Sequence, residues 1–245
     1  MSDDVRTGRR VAIVGATGGI GAAIVDALAA DPTIDRVYAL SRSAPADTRR
    51  TVAPLSVDLA APETIAAAAQ QIAAEGALDL VIVATGLLHD GAYQPEKDWR
   101  QLEAAALARA FEINTIGPAL VAQAFLPLMP KQGRSVFAAI SAKVGSISDN
   151  RIGGWYGYRA SKAALNMMIK SLAIELVRKK RETICVALHP GTVDTDLSKP
   201  FQSATRPGQV VPPETSAANL LSVIAGLTQD QSGALIAWDG AVIAP

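Results

Sequence analysis

Residues Gly15-Ala16-Thr17-Gly18-Gly19-Ile20-Gly21, here called the glycine loop, directly follow the apolar run Arg10–Val14 and lead into the amphipathic run Ala22 to Ala30. Glycines permit a tight turn and a close approach of the backbone to a ligand. The free N–H groups and the positive end of the following helix attract a pyrophosphate. An ordinary strand-to-helix turn is the alternative interpretation of an isolated glycine cluster. The position directly after an N-terminal strand favours a dinucleotide site.

The end of the second predicted strand reads Leu40-Ser41-Arg42-Ser43, about 20 residues beyond the glycine loop, where a fold that prefers NAD carries an acid for the ribose hydroxyls. No acid stands there, since Asp35 precedes the strand. Arg42 can offer its planar guanidinium to a 2′-phosphate, with Ser41 and Ser43 as supporting donors. A solvated surface arginine is the alternative interpretation. The pattern favours NADP(H) as the cofactor.

Short runs rich in Val, Ile and Leu alternate with longer Ala-rich runs along the whole chain, which is typical of βαβ units around a buried parallel sheet. The predicted strands are Arg10–Val14, Arg36–Leu40, Val52–Val57, Leu80–Ala84, Ser135–Ile140, Ile184–Leu188 and Ala234–Ala237. The predicted helices lie at about 19–30, 62–75, 97–129, 157–180 and 213–228. The sequence therefore predicts an α/β fold of one domain, residues 1–245, with a Rossmann-type doubly wound parallel sheet flanked by helices. Ligands of such sheets bind beyond the carboxyl ends of the strands.

Length and charge narrow the classes of function. The chain has 245 residues, and its 23 Lys and Arg balance its 23 Asp and Glu, so its charge does not indicate a general affinity for nucleic acid or anionic membranes. The longest apolar stretches, such as Leu80 to Leu88, are shorter than the roughly 20 residues needed to span a bilayer. The polar segment Met1 to Arg10 leaves no room for a signal peptide. We expect a cytoplasmic protein that acts on a small molecule.

Cysteine and histidine are too few to build a metal centre. Cys185 is the only cysteine and lies in the apolar run Ile184–Leu188, so a small buried filler is its expected role. His89 and His189 are the only histidines, and no carboxylate cluster accompanies them at ligand spacing. We predict no metal site. His189 can shape the ligand pocket, although a structural role is the favoured interpretation.

Two side chains with useful chemistry open a long predicted helix. In Tyr158-Arg159-Ala160-Ser161-Lys162, the i to i+4 spacing places the phenol and the ammonium on one helix face. Alone, such a pair is more often a half-buried ring beside a solvated charge. Ser141, however, follows the apolar strand Ser135–Ile140, at the edge where a sheet of this type holds its ligand. The sequence predicts that these three side chains converge.

The order of these motifs resembles that of the short-chain dehydrogenase/reductase family over nearly the whole chain. The motifs are the glycine loop, Asp58 after a strand, Asn114 in Asn-Thr-Ile-Gly, Ser141, the Tyr158 and Lys162 pair, and Pro190-Gly191-Thr192-Val193-Asp194-Thr195. The stretch from Gly145 to Tyr158 further resembles the C-factor and sniffer-type carbonyl reductase branch. The resemblance implies an oxidoreductase that moves a hydride to or from a carbonyl or alcohol carbon.

The resemblance also implies a catalytic role for four residues. Tyr158 would be the general acid in reduction, and the positive charge of Lys162 would favour its phenolate. Ser141 would hydrogen-bond the substrate oxygen. Lys162 would also hold the nicotinamide ribose, and Asn114 would keep a water-linked proton path to Lys162. Asn114 precedes Gly117-Pro118, where a helix would kink and free backbone carbonyls, although an Asn within a helix is usually exposed or bonded to nearby backbone.

Other positions are implied to bind the cofactor. Asp58, followed by Leu59, resembles the adenine-binding acid of the family, with an acid that caps the helix near Ala61 as an equal alternative. Thr195 and the backbone of Val193, which follow Pro190 and Gly191, match positions that hold the nicotinamide carboxamide, and Thr192 is the nearby competitor. The full expected set is Gly15, Thr17, Gly18, Gly19, Ile20, Gly21, Ser41, Arg42, Ser43, Asp58, Leu59, Ala84, Thr85, Gly86, Tyr158, Lys162, Pro190, Gly191, Val193 and Thr195.

Two departures from the family pattern are evident. Where many members have Asn-Asn-Ala-Gly, this chain has Val83-Ala84-Thr85-Gly86, so a threonine hydroxyl would have to replace an amide. The distance in sequence from Ser141 to Tyr158 is also longer than usual, which the branch resemblance accounts for.

The segment from Asp194 to Val211 is expected to form a loop that covers the substrate. It carries Pro200, Pro207 and Gly208, lacks sustained periodicity and exceeds the length of an ordinary connection. Leu197 and Phe201 could supply apolar contacts that exclude water. A surface loop without a catalytic part is the alternative. Trp155, beside Tyr158, is expected near the substrate as well.

Two hypotheses about function follow. The leading one is an active NADP(H)-dependent carbonyl reductase. The other is a signalling or regulatory protein in which NADP(H) binding matters and turnover is slight, which the C-factor resemblance motivates. The predicted helices 97–129 and 157–180 could pair across a two-fold axis as in the family, so a homo-oligomer, either a dimer or a tetramer, is expected.

Overall fold

The strands and helices alternate along the chain as the sequence predicts. The structure is a computed structural model that describes residues 8–44, 46–91, 93–204 and 208–245. Within these ranges the strands are β1 (Arg9–Val14), β2 (Ile34–Ser41), β3 (Val52–Ser56), β4 (Leu80–Val83), β5 (Ser135–Ile140), β6 (Thr183–His189), β7 (Thr192–Val193), β8 (Val210–Val211), β9 (Leu235–Ala237) and β10 (Val242–Ile243). The α-helices are α1 (Gly19–Ala29), α2 (Pro62–Glu75), α3 (Ala104–Phe111), α4 (Gly117–Phe125), α5 (Tyr156–Arg178) and α6 (Pro213–Gly226).

Eight strands form one sheet in the order β10-β9-β6-β5-β4-β1-β2-β3. Every neighbouring pair is parallel except β9 with β10. The central strand β5 is buried at all of its residues, because helices cover both faces of a parallel sheet. The doubly wound sheet and all seven predicted strands are confirmed, whereas the short strands β7, β8 and β10 were not predicted from the sequence.

Two core layers lie on the two faces of the sheet. On one face, α2, α4 and α5 contribute Ile72, Phe125 and Leu165 to a layer that also contains Cys185. On the other face, α1 and α6 pack against each other and against the sheet. Cys185 is fully buried, as expected of an apolar filler.

The order of the strands in the sheet changes direction at β1: β2 and β3 lie on one side of it, and β4, β5 and β6 lie on the other. β1 pairs with β2 on one side and with β4 on the other, so the chain first builds outward to β3 and then returns to start the second half. A crevice forms where two connections leave in opposite directions, and ligands of such sheets bind there. The glycine loop follows β1, and Ala84 to Gly86 follow β4, so both groups border this crevice.

The predicted single helix over 97–129 is wrong. A short 3₁₀ turn at Trp99–Gln101 precedes α3, and a π-helical turn at Glu112–Ile116 separates α3 from α4. Pro118 has no N–H to donate to the carbonyl of Asn114, so the regular ladder cannot continue through this point. The regular α-helix is therefore interrupted beside Asn114, by a π-helical turn.

The segment from Asp194 to Val211 is more ordered than a loop without structure. Thr192–Val193 pairs in parallel with Val210–Val211, and the N–H of Asp194 donates to the carbonyl of Val211 at 2.9 Å. A 3₁₀ helix at Lys199–Ala204 lies between these ends. Residues 205–207, which include Pro207, lie outside the described residues. In the parts of the chain that the structure describes, no helix has both the length and the apolar character to cross a membrane.

Candidate active site

A cavity of about 730 Å³ opens at the carboxyl edge of the sheet, at the reversal point beside β1. Its wall contains most of the predicted site residues. These are Gly15, Thr17, Gly18, Gly19, Ile20, Ser41, Arg42, Asp58, Leu59, Ala84, Thr85, Gly86, Ser141, Tyr158, Lys162, Pro190, Gly191, Val193 and Thr195. Gly21, Ser43 and Asn114 are not part of this wall. The predicted motifs therefore meet at one cavity.

The glycine loop is shaped by contacts that a side chain would prevent. Gly15 adopts a φ of +91°, which glycine tolerates best. A Cβ at Gly21 would lie 2.1 Å from the carbonyl oxygen of Gly15, and a Cβ at Gly19 would lie 2.7 Å from the methyl of Thr195. Gly21 therefore packs directly against the backbone of Gly15 on the side away from the cavity wall, whereas Gly19 and Ile20, at the N-terminus of α1, line the cavity. This is a cradle of backbone N–H groups that fits a diphosphate.

The end of β2 offers one cationic side chain to the cavity. Arg42 is exposed, and no described residue pairs with its guanidinium. The hydroxyl oxygen of Ser41 accepts a hydrogen bond from the N–H of Ala44 at 3.1 Å, which leaves the O–H of Ser41 able to donate. Ser43 is exposed and lies outside the wall. Arg42 and Ser41 therefore fit a phosphate at this edge.

Asp58 forms a turn of its own and does not cap α2. Its carboxylate accepts from the N–H of Ala60 at 3.0 Å, whereas the residue that precedes α2 is Ala61 and no side chain caps that helix. Leu59 lies against Gly117, where an added Cβ would be 2.7 Å from the leucine side chain. The helix-capping interpretation is wrong, and Asp58 and Leu59 line the cavity.

The departure at Thr85 leaves a polar group unsatisfied. The hydroxyl oxygen of Thr85 is buried and has no hydrogen-bond partner among the described residues. The segment is instead held by Asn114, whose Oδ1 accepts from the N–H of Leu87 and whose Nδ2 donates to the carbonyl of Leu87, each at 2.8 Å. The amide of Asn114 thus fixes the connection after β4, and this contact was not foreseen.

Asn114 is fully buried and lies close to Lys162. Its Nδ2 also donates to Oγ of Ser161 at 3.0 Å. A Cβ built on Gly86 would lie 3.8 Å from Oδ1 of Asn114 and 3.7 Å from Nζ of Lys162, so both polar groups flank the same glycine. This placement keeps the predicted link between Asn114 and Lys162 open as a proposal.

Tyr158 and Lys162 share one face of α5, as their spacing predicts. Nζ of Lys162 lies 5.8 Å from the centre of the Tyr158 ring and donates to the carbonyl oxygen of Ile140 at 2.9 Å. Burial lowers the pKa of Lys162 to about 7. Burial also raises the pKa of Tyr158 above its usual value, and nearby Tyr93 adds to this effect. The phenol is therefore held in its protonated form when no charged ligand is near.

The hydroxyl of Ser141 is bonded to a neighbouring side chain of α5. Its Oγ donates to Oδ1 of Asn166 at 2.7 Å. Although Ser141 lines the cavity, this bond uses the hydroxyl proton that was expected to reach the substrate oxygen. Asn166 was not identified from the sequence, although its i+4 spacing from Lys162 places it on the same helix face.

Apolar and aromatic side chains surround Tyr158. Leu88 and Ala142 pack in one buried cluster with Tyr158, and Val144, Trp155, Leu197 and Phe201 pack against that cluster. The ring centres of Trp155 and Phe201 are 5.1 Å apart, in an edge-to-face arrangement. The predicted positions of Trp155, Leu197 and Phe201 near the reacting group agree with this geometry, whereas Leu88 and Ala142 carry no signal in the sequence.

His189 also faces the cavity, at the end of β6. Its Nδ1 is buried and has no partner among the described residues. Burial and the charge of Lys143 lower the pKa of His189 to about 4, against an opposing effect of Asp239. The ring is therefore neutral near pH 7, as a pocket-shaping group would be. Within the described ranges, no three His, Cys, Asp or Glu side chains group as they would around a metal ion.

Comparison with known proteins agrees with this architecture. The family model described as short chain dehydrogenase matches residues 9–206. The chain is 35% identical to a 1-hydroxy-2-glutathionyl-2-methyl-3-butene dehydrogenase of Rhodococcus sp. over 193 residues, which cover 78% of each chain. It is 36% identical to C-signal of Myxococcus xanthus over 136 residues, which cover 56% of this chain and 76% of that protein.

Two solved structures are similar over almost their full length. The NADPH-bound carbonyl reductase from chicken fatty liver superposes with a TM-score of 0.84 at 28% identity, covering 97% of this chain and 94% of that one. The carbonyl reductase Sniffer of D. melanogaster superposes with a TM-score of 0.80 at 25% identity, covering 98% and 99%. The branch of the family that the sequence resembled is thus also the branch of these structures.

Proposed function

The chain belongs to the short chain dehydrogenase family of oxidoreductases, and on that premise we propose that it is an NADP(H)-dependent carbonyl reductase. The observation that carries the proposal is the placement of Tyr158 and Lys162 on one helix face in the wall of the cavity. A phenol and an ammonium in this arrangement can exchange a proton with a substrate oxygen.

The residues around the cavity fit NADP(H) from end to end. The N–H groups of the glycine loop would hold the diphosphate, and Arg42 with Ser41 would hold the 2′-phosphate. Asp58 and Leu59 would border the adenine, and the backbone of Val193 with Thr195 would hold the carboxamide. When bound, the cofactor supplies the hydride that the carbonyl carbon accepts. The NADPH in the chicken carbonyl reductase structure supports this choice.

Tyr158 supplies the proton in the proposed reduction. As the carbonyl carbon gains its new bond to hydrogen, the electrons of the C=O π bond move to oxygen, which takes the proton of the Tyr158 hydroxyl. In its protonated form, Lys162 stabilises the phenolate that results, because its Nζ lies 5.8 Å from the centre of the Tyr158 ring. Asn114, which flanks Gly86 together with Lys162, would keep a water-linked proton path to Lys162. In the oxidation of an alcohol the same proton moves in the opposite direction.

The surroundings of Tyr158 favour an apolar substrate. Leu88, Trp155, Leu197 and Phe201 offer apolar and aromatic surface next to the phenol. Such surface gains free energy when it is removed from water. We therefore propose aldehydes or ketones that carry an aromatic or alkyl group, rather than charged sugars or organic acids.

The second candidate is an NADP(H)-binding regulatory protein with slight turnover. Two observations favour it: the identity with C-signal and the Ser141 hydroxyl, which bonds to Asn166 instead of facing Tyr158. Neither observation involves the glycine loop or Arg42. A regulatory protein of this kind should therefore bind NADP(H) as tightly as the reductase would.

One experiment separates the two candidates. NADPH binding is titrated by fluorescence, and turnover is followed with a panel of aromatic aldehydes, ketones and quinones. The Tyr158→Phe variant is measured in parallel. A reductase should lose about two to four powers of ten in kcat with its NADPH affinity kept, as is usual for the loss of a general acid. Tight NADPH binding with no turnover on any substrate would favour the regulatory protein, and a Tyr158→Phe variant with normal turnover would exclude Tyr158 as the acid.

Self-association and location stay predictions from the sequence. α5 exposes the apolar side chains of Met167, Ile174 and Val177. They are seven and three residues apart, so they lie on one face of the helix. We propose that a second copy covers this face, and sedimentation of the purified chain tests the proposal. We also propose that the protein acts in the cytoplasm, which imaging of a tagged chain in its host tests.

A further inference from the structure

The alternation of side chains along β5 decides which residue at its end faces Tyr158. Phe137 and Ala139 belong to the core layer that α5 covers, whereas Ala138 and Ile140 belong to the opposite layer. Successive side chains of a strand point to opposite faces. Ser141 follows Ile140 and still bonds through its N–H to β6, so its side chain continues the first series and points to α5.

The partner of Ser141 on α5 lies far along the helix from the reacting phenol. Oγ of Ser141 donates to Oδ1 of Asn166 at 2.7 Å, and Ser141 is only 2% exposed. Residue 166 follows residue 158 by eight positions, which is about 12 Å along a helix axis. The hydroxyl of Ser141 therefore joins β5 to α5, as a structural contact would.

Ala142 occupies the position beside Tyr158 instead. Its backbone is extended, with φ −149° and ψ 146°, so its side chain points to the opposite side from that of Ser141. It packs in the same buried cluster as Tyr158 and Leu88 and lines the cavity. The side chain there is a methyl group, which cannot donate a hydrogen bond to a substrate oxygen.

We propose that the side chain at position 142, not that of Ser141, faces the reacting carbonyl oxygen and decides whether a second donor stabilises its negative charge. This inference rests on the proposed carbonyl reduction. In this proposal the hydroxyl of Tyr158, and no other hydroxyl of the described cavity wall, would donate to the carbonyl oxygen. A carbonyl oxygen gains negative charge as hydride arrives, and each aimed donor lowers the barrier. Substrates with electron-poor carbonyl carbons depend least on such donors, so the present site favours them. A serine at position 142 would supply the second donor.

The test uses the full chain with NADPH and para-nitrobenzaldehyde as the probe substrate. Ala142→Ser is compared with Ala142→Cys, which has a similar volume and a much weaker donor. We expect Ala142→Ser to raise kcat by about tenfold or more, since one donor to a developing oxyanion can be worth two to three powers of ten. Ala142→Cys should stay within about threefold of the parent, because it adds volume without a strong donor.

Two further variants test the structural role of Ser141. Ser141→Ala and Asn166→Ala should each lower the thermal unfolding midpoint, and the double variant should lower it by less than the sum, because both remove one hydrogen bond. Ser141→Ala should keep most of its kcat. The pH profile of alcohol oxidation should shift to lower pH in Ala142→Ser alone, because a hydrogen bond to the phenolate stabilises it.

The outcomes separate this inference from the proposed function. A loss of a hundredfold or so in Ser141→Ala with NADPH affinity intact would show that Ser141 donates to the substrate, and would overturn the inference while the reductase stands. Equal kcat in Ala142→Ser and Ala142→Cys would overturn it as well. NADPH binding without turnover in the parent and in Ala142→Ser alike would remove both the inference and the reductase.

Discussion

The carboxylate of Glu96 accepts a hydrogen bond from the N–H of Gly157, at 3.1 Å, in the first turn of the helix that carries Tyr158. The carbonyl of Glu96 also accepts from the N–H of Trp155, at 2.5 Å. Trp155 has a left-handed backbone with φ 51°, which is unfavourable for a bulky residue unless contacts hold it. A single buried residue outside α5 therefore fixes the point at which the chain enters this helix.

We expect Glu96→Ala to loosen this entry and to displace Tyr158. Loss of the acceptor leaves the buried N–H of Gly157 unpaired and should lower the free energy of unfolding by about 1–3 kcal/mol. Since Tyr158 acts in the reaction step, kcat should fall while KM changes little. Glu96→Gln, which keeps an acceptor for Gly157, is the matched control and should lose less of both. Urea unfolding and steady-state kinetics measure the two effects, and an unchanged kcat in Glu96→Ala would contradict the positioning role.

Arg42 should determine the preference between NADPH and NADH. Arg42→Asp removes a charge-assisted contact and adds repulsion to the 2′-phosphate, so the ratio of NADPH to NADH affinity should fall by about tenfold or more. Arg50→Asp changes an exposed arginine outside the cavity wall by the same charge and serves as the control. Fluorescence titration with both cofactors gives the ratio. A ratio that is equal in the Arg42 variant and the parent would remove Arg42 from the cofactor site.

The sheet and the glycine loop could be predicted because each is encoded by a short continuous stretch of sequence. The strand β5 reads as an uninterrupted apolar run, and such a run is typical of a strand buried on both faces. Gly15, Gly19 and Gly21 lie where a Cβ would meet neighbouring atoms, and their pattern after a strand is visible in the sequence itself. The spacing of these glycines after a strand was enough to predict the turn, although Gly15 and Gly19 also leave room for residues distant in the sequence.

The role of Ser141 was not predictable in the same way. Adjacent residues of an extended chain face opposite sides, so a shift by one position exchanges Ser141 for Ala142 beside Tyr158. Only the register of β5 against its neighbours decides between them. The structural contact of Asn114 could not be predicted either, because its two hydrogen bonds to Leu87 join segments that are distant in the sequence.

Phe201 should act as part of a cover over the reacting group. It contacts Trp155 and His89, with ring centres 5.1 Å and 5.5 Å away, and Nε2 of His89 lies 3.1 Å from the carbonyl oxygen of Asp196. Phe201→Ala should raise KM for apolar substrates by several-fold and leave NADPH affinity unchanged, because it removes apolar contact near Tyr158 only.

Hydrogen exchange tests whether this cover closes on ligands. We expect the amides from Asp194 to Gln202 to gain protection when NADPH and a substrate bind, because closure removes them from water. The amides of β5, which are buried in the core, provide the internal control. Exchange in this segment that is the same with and without ligands would show a static surface connection.

Burial of Lys162 should make stability depend on pH in a definite direction. The pKa of this ammonium is about 7 in the folded chain and 10.5 ordinarily, so between these values the unfolded chain binds a proton that the folded chain does not. The free energy of unfolding should therefore fall as the pH falls from about 10.5 to about 7, and this contribution should then level off. The full penalty at neutral pH is of the order of a few kcal/mol.

Lys162→Met removes the group that titrates while it keeps an apolar stem of similar length. At pH 7 the variant should unfold at a higher urea concentration than the parent, although turnover should be largely lost, and the difference in stability should shrink as the pH rises toward 10. Lys131→Met, at an exposed lysine, should show no such trend. Since Nζ of Lys162 also donates to the carbonyl of Ile140, a variant less stable than the parent at every pH would show that this hydrogen bond outweighs the cost of burying the ammonium.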